Sequence, residues 1–228
     1  TDAESMWLSG ITICDGMAAD FAECKEHIIP AHPFSDDIIS VSRKLAERFC
    51  CDTEHIHQVE IAALKLFDAL RKANHLTKKD RLLLQIAAIL HNCGSFLNLN
   101  DIGENSYKIV TSTEIIGLSH QERMIVAYVI RYTTGDFPEY SEIKNEFSRE
   151  EYIKIAKLNA ILCLADAMDR SHQQKFTNFT VRKRGYDLTI TGQTLYDITL
   201  EHGMFIQKSP FFEEAFGIRP VLRQKKCL

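Results

Sequence analysis

The sequence predicts a mostly α fold, a helical bundle followed by a small α+β subdomain. Three observations carry that prediction. Apolar residues recur at helical spacing through most of the stretch from Phe34 to His172, which is the 3.6-residue period of helices with a buried face. Helix-start signals stand at Thr77/Asp80, Ser119/Glu122 and Ser148/Glu151, where a hydroxyl and an acid three residues on can cap each other's backbone N–H. After His172 the pattern changes: Phe179 and Val181 alternate with polar residues, Arg184-Gly185 turns, and Leu188 and Ile190 alternate again, as in a hairpin.

Taken in order, residues 1–33 do not look like the start of a domain and read as a remnant or extension of something before it. Ser35 is a plausible N-cap for a helix through Ile38, Val41, Leu45 and Phe49. Asp52 or Thr53 can cap the next, whose apolar face includes Ile56, Val59, Leu66, Phe67 and Leu70. The helix after Thr77 carries Leu82, Leu83, Leu84, Ile86, Ala87, Ile89 and Leu90 around nearly its whole circumference, which marks a central, buried helix. Gly94 is expected to end it in the left-handed cap conformation. Residues 95–104 read as a loop, Asn105 to Ser112 as a short helix, Thr133 to Asn145 as a loop. A long helix follows from Ser148 through Met168. Ile198, Leu200 and His202 continue a period of two and read as strand with a helix as the alternative, Phe205 to Phe216 as a helix capped by Gly217, and Val221 and Leu222 as a last strand. The units expected are therefore 1–33, a helical domain at 34–173, and an α+β subdomain at 174–228.

Composition excludes several classes. The 228 residues are 45% hydrophobic and 25% charged with a net charge of −4 and pI near 6.1, so no global charge points to nucleic acid or a membrane surface. No run of about 18 apolar residues exists to span a membrane, and Met6 to Ile13 is too short and polar for a signal-peptide core. Seven cysteines include no CxxC pair, and Cys93 and Cys163 lie in apolar runs; that usage fits a reducing, cytoplasmic setting.

The residues with chemistry are His55, His91, Asn92 and Asp166. His91-Asn92 closes the all-apolar helix, and Asp166 is a carboxylate inside Leu164-Ala165-Asp166-Ala167-Met168. A charge in such a stretch must find a partner, and imidazoles and carboxylates converging from separate helices suit a divalent metal. The plainer alternatives are a core histidine bonded to a neighbour for His91, and a buried hydrogen-bond network for Asp166. Asp169 and Arg170 read most simply as a local ion pair.

This arrangement resembles the H…HD…D signature of HD-domain phosphohydrolases, with Asn92 where that superfamily has a ligating Asp, so the site implied is degenerate. A closer resemblance covers nearly the whole chain. It rests on Glu54-His55 with Gln58-Val59, Leu66-Phe67-Asp68-Ala69-Leu70, Ala88-Ile89-Leu90-His91-Asn92, Asn105-Ser106-Tyr107, Val129-Ile130-Arg131-Tyr132, the run from Leu164 to His172, and Phe211-Phe212-Glu213-Glu214-Ala215-Phe216-Gly217. In that order these segments resemble the C-terminal, HD-like half of the exopolyphosphatase/guanosine pentaphosphate phosphohydrolase (Ppx/GppA) family. That family often has histidines where Asn105 and Thr133 stand here. Its hydrolytic site lies in two actin-like domains with glycine-rich phosphate loops, and no such loop occurs in this chain.

What the resemblance implies is a region that binds inorganic polyphosphate, mediates homodimerisation, or both, within a parent protein acting on polyphosphate or guanosine pentaphosphate. It implies no catalytic residue in this chain, no nucleic acid, no membrane and no cofactor, with a divalent metal at His55, His91, Asn92 and Asp166 as the lesser expectation. Candidate polyphosphate contacts are Lys78, Lys79 and Arg81 at a helix start, Arg170 at the end of the long helix, and Arg182, Lys183 and Arg184 at the hairpin tip, although such a basic run is more often a solvated turn. The alternatives are an autonomous HD-type metal-dependent phosphohydrolase and a degenerate fold serving only protein interaction.

Overall fold

The computed structural model describes residues 34–71, 74–176 and 178–225; the reading of residues 1–33 as a remnant lies outside them. Seven helices come first: α1 (Phe34–Arg48), α2 (Thr53–Leu70), α3 (Lys78–Leu90), α4 (Ile102–Ser112), α5 (His120–Arg131), the single turn α6 (Tyr140–Ile143) and α7 (Arg149–Ala167), with a 3-10 turn at Cys93–Phe96 between α3 and α4. Then come β1 (Asn178–Arg184), β2 (Asp187–Gln193), α8 (Thr199–Phe216) and β3 (Arg219–Lys225). The fold is mostly α with a small α+β part, as the periodicity predicts.

Helix α3 is the axis of the bundle. Leu83, Leu84 and every residue from Ile86 to Leu90 are buried, and α3 packs against α1, α2, α5 and α7. Past its first turn only Leu82 and Gln85 are even partly exposed, so the helix offers little face to water. The capping boxes at Thr77/Asp80, Ser119/Glu122 and Ser148/Glu151 are all formed, and Asp52 rather than Thr53 caps α2 by accepting from the His55 N–H. Each starts a helix at a fixed residue and so fixes which side chains face inward.

The sheet has the order β1-β2-β3. β1 and β2 are the antiparallel hairpin across Gly185, and β3 returns parallel to β2 after α8. Leu188, Ile190 and Leu222 on the inner face join Phe179, Phe205 and Phe212 in one apolar core continuous with the bundle. Gly217, at φ 63°, ends α8 in the left-handed conformation as expected.

Four local readings are corrected. Ser35 already lies in the first turn of α1 and is not its cap. Ile198 to His202 is not strand: Asp197 accepts from the Thr199 N–H and hydroxyl, α8 begins there, and the buried positions Ile198, Glu201 and Phe205 follow helical spacing while Leu200 and His202 face solvent. The stretches read as loops contain the 3-10 turn, the first turn of α4 and α6. Gly94 does not terminate α3 in the left-handed region, since α3 ends at Leu90 and Gly94 lies within the 3-10 turn. Its role is close approach: a Cβ there would collide with the Ile102 carbonyl oxygen and sit 2.5 Å from the Ser106 nitrogen.

Because those obstacles are backbone, they cannot swing aside. Gly94→Ala is expected to lower the unfolding free energy by about 1–3 kcal/mol, the usual cost of overpacking a tight interior, measured by urea denaturation; an unchanged midpoint would show that α4 can shift freely.

Candidate functional site

Three helix ends meet beside the core. His55 lies in the first turn of α2, placed there by the Asp52 cap. His91 is the C-cap of α3. Asp166 lies at the end of α7, one residue before its last. His55 is 1% exposed, His91 5% and the Asp166 side chain 19%. The His55 and His91 Nε2 atoms are 3.3 Å apart; each also approaches Asp166 Oδ1, at 3.3 Å from His55 and 3.6 Å from His91.

The opposite ring nitrogens are anchored. His91 Nδ1–H donates to the Ala88 carbonyl at 2.8 Å, which turns Nε2 toward His55 and Asp166. His55 Nδ1 is 2.9 Å from Asp169 Oδ2, and Asp169 also accepts from the Gln174 N–H. His172 stacks flat on His55, with centroids 3.6 Å apart and planes 7° from parallel, and is held by Asp52 through Nδ1 at 2.9 Å. Asp169 therefore belongs to His55, not to an ion pair with Arg170; the Arg170 guanidinium instead approaches Asp166 at 3.8 Å.

Burial disfavours a charged imidazole, but hydrogen bonds and charge from Asp166 and Asp169 outweigh it and push His55 up to about 9. Burial likewise opposes ionisation of Asp166, yet His55 and His91 hold its carboxyl far below the usual range. These groups line a cavity of about 250 Å³ together with Asn92, Arg170, His172 and Thr133. The Asn92 side chain makes no hydrogen bond to any described residue. Asn105 does not line this cavity; its amide donates to the Asn100 carbonyl.

The predicted cations divide. Lys79 pairs with Glu122 and Arg81 with Asp68 through two hydrogen bonds, while Lys78 is exposed at the first residue of α3. The strand register puts Arg182 and Arg184 on the outer face of the sheet with Arg219, Arg223 and Lys225; Lys183 falls on the opposite face. Arg219 pairs with Asp187. Arg182, Arg184, Arg223 and Lys225 have no ion-pair partner among the described residues. A groove of about 420 Å³ on this face is lined by Asn178, Thr180, Arg182, Thr191, Gln193 and Lys225. Sequence reading missed Arg223 and Lys225 because only the crossover through α8 sets β3 beside β2.

Fold and site together define a helical domain with a polar centre built from three helix ends and a small basic sheet behind it. The family model of Ppx/GppA phosphatase, domain III, matches residues 39–208, about three quarters of the chain, and the chain belongs to that family. Among curated proteins none matches it.

His55 ionisation gives a test by pH. Its raised pKa contributes stability that is complete below about 6.5 and lost as pH rises through about 9. The thermal midpoint should fall across that window, and an NMR titration should place His55 near its upper end and lower in Asp169→Asn; a His55 titrating at its ordinary value would contradict the geometry.

Proposed function

We propose that this chain is a polyanion-binding region of its family, with inorganic polyphosphate lying across the outer face of the sheet. One observation carries this reading: Arg182, Arg184, Arg223 and Lys225 stand on one face of the three-stranded sheet without an ion-pair partner among the described residues. Same-face residues repeat about every 7 Å along a strand and about 5 Å across it, a lattice of charge that a linear polyanion can follow. Arginine forks bind phosphate oxygens in pairs, and Thr180, Thr191 and Gln193 add hydrogen-bonding groups between the cations. The chain's overall charge of −4 makes the patch a local feature rather than a general basicity.

Binding of labelled polyphosphate is expected to weaken steeply with added salt. Arg182→Ala and Arg223→Ala should each reduce affinity by roughly tenfold, about 1.4 kcal/mol, whereas Arg81→Ala should leave it unchanged. Equal effects of all three substitutions, or no saturable binding, would defeat the reading.

A second reading rests on a separate observation, the triangle of donors. His55 Nε2, His91 Nε2 and Asp166 Oδ1 all lie within 4.8 Å of one another. Their separations of 3.3, 3.3 and 3.6 Å are close to the roughly 3.3 Å edge of a tetrahedral face around an ion with bonds of about 2.0–2.1 Å. Asp169 and the Ala88 carbonyl orient the rings as outer partners of metal-binding histidines do. The donor set therefore fits a divalent ion held by His55, His91 and Asp166, with Asn92 contributing at most a neutral amide. Such an ion would supply Lewis acidity to a bound phosphate or water. Arg170 stands at the same cavity to meet phosphate charge.

Because His55 carries a proton at neutral pH, metal binding must release it. Calorimetry with Mn²⁺ or Zn²⁺ should show one site, close to one proton released at pH 7, and affinity rising toward pH 9, all lost in Asp166→Ala. Stoichiometric binding that survives that substitution would place the ion elsewhere.

A further inference from the structure

Cys51 and Cys93 are 42 positions apart in the chain, yet their sulfurs are 3.5 Å apart and share a hydrogen bond. Both are free thiols; Cys51 is 7% exposed and Cys93 wholly enclosed. Each is next in sequence to a residue of the histidine site or its support. Cys51 precedes Asp52, the cap of α2 that also holds His172. Cys93 opens the 3-10 turn directly after His91 and Asn92.

The two thiols differ in character. The shared hydrogen bond draws Cys51 below its ordinary value. A lowered thiol supplies more thiolate, the form that attacks an oxidant, and Cys51 is also the one that solvent can touch. Such a pair divides into an attacking and a resolving sulfur, as redox-sensing cysteines do.

We propose that Cys51 and Cys93 form a redox modification site that closes to a disulfide when the chain meets hydrogen peroxide. The Cys51 thiolate attacks one peroxide oxygen and the O–O bond breaks. Cys51 becomes a sulfenic acid, and the leaving hydroxide takes a proton to depart as water. The Cys93 sulfur then attacks the sulfenic sulfur, the S–O bond breaks, and the departing hydroxide takes the Cys93 proton as a second water. In sum, two thiols are oxidised to one disulfide and one peroxide is reduced to two waters. The sulfurs need only close from 3.5 Å to about 2.0 Å. The bond would tie the start of α2 to the turn after α3, on either side of the His55–His91 pair. Among the described residues Cys50, exposed beside Cys51, is the competing target; Cys163, which burial pushes up to about 12, is a poor one.

The test is covalent and needs neither bound metal nor polyphosphate. The chain and its Cys50→Ser variant are treated with hydrogen peroxide, quenched, unfolded, alkylated with N-ethylmaleimide and digested for mass spectrometry. The expected product is a peptide joining Cys51 to Cys93, two hydrogens lighter than its parts and separated by reductant, in both proteins. Cys93→Ser should instead leave a sulfenic acid on Cys51 that dimedone traps. Maleimide on both Cys51 and Cys93 after oxidation would overturn the proposal, as would a bridge from either one to another cysteine.

Discussion

The carboxylate of Asp166 sits at the end of a helix whose neighbouring turns are apolar, and it can remain ionised there only because two imidazoles point at it. Much else is arranged to keep that meeting in place. Asp52 starts α2 so that His55 falls in its first turn. The buried C-terminal half of α3, Ile86 to Leu90, carries His91 to the same point. Asp169, Gln174 and His172 then fix the ring of His55 from its far side and its face. An unpaired interior carboxylate is costly enough that the three helix ends are bound to one geometry.

Most of the helical architecture was legible because its signals are local. A capping box is complete within four residues, and an apolar circumference announces a central helix without knowledge of its neighbours. The errors have one cause: the deciding contact was distant or was a side chain capping backbone. Ile198, Leu200 and His202 alternate in hydropathy, but Asp197 starts a helix there. Gly94 looks like a helix stop, yet what demands a glycine is the backbone of α4 pressing on it.

The site was legible in part for the same reason. His55, His91 and Asp166 stood out as polar residues in apolar helices, and the family resemblance tied them together. The role of Asp169 did not stand out, since its neighbour Arg170 offered an obvious local partner; only packing of α2 against α7 gives it His55 instead. The basic run at Arg182–Arg184 was visible, whereas Arg223 and Lys225 are some forty residues away in the chain and become neighbours only through the parallel pairing of β3.

The glycine contact also carries a mechanical consequence. The Ser106 hydroxyl, wholly buried in α4, accepts from the Gly94 N–H and donates to the His91 carbonyl, each at 2.8 Å. With no side chain between them, α4 and the histidine turn are bolted together through one oxygen and direct backbone contact. Close-packed interiors pass displacement on rather than absorb it. Helix α4 and the turn that carries His91 therefore hold one relative position, and a change that displaces either must displace both.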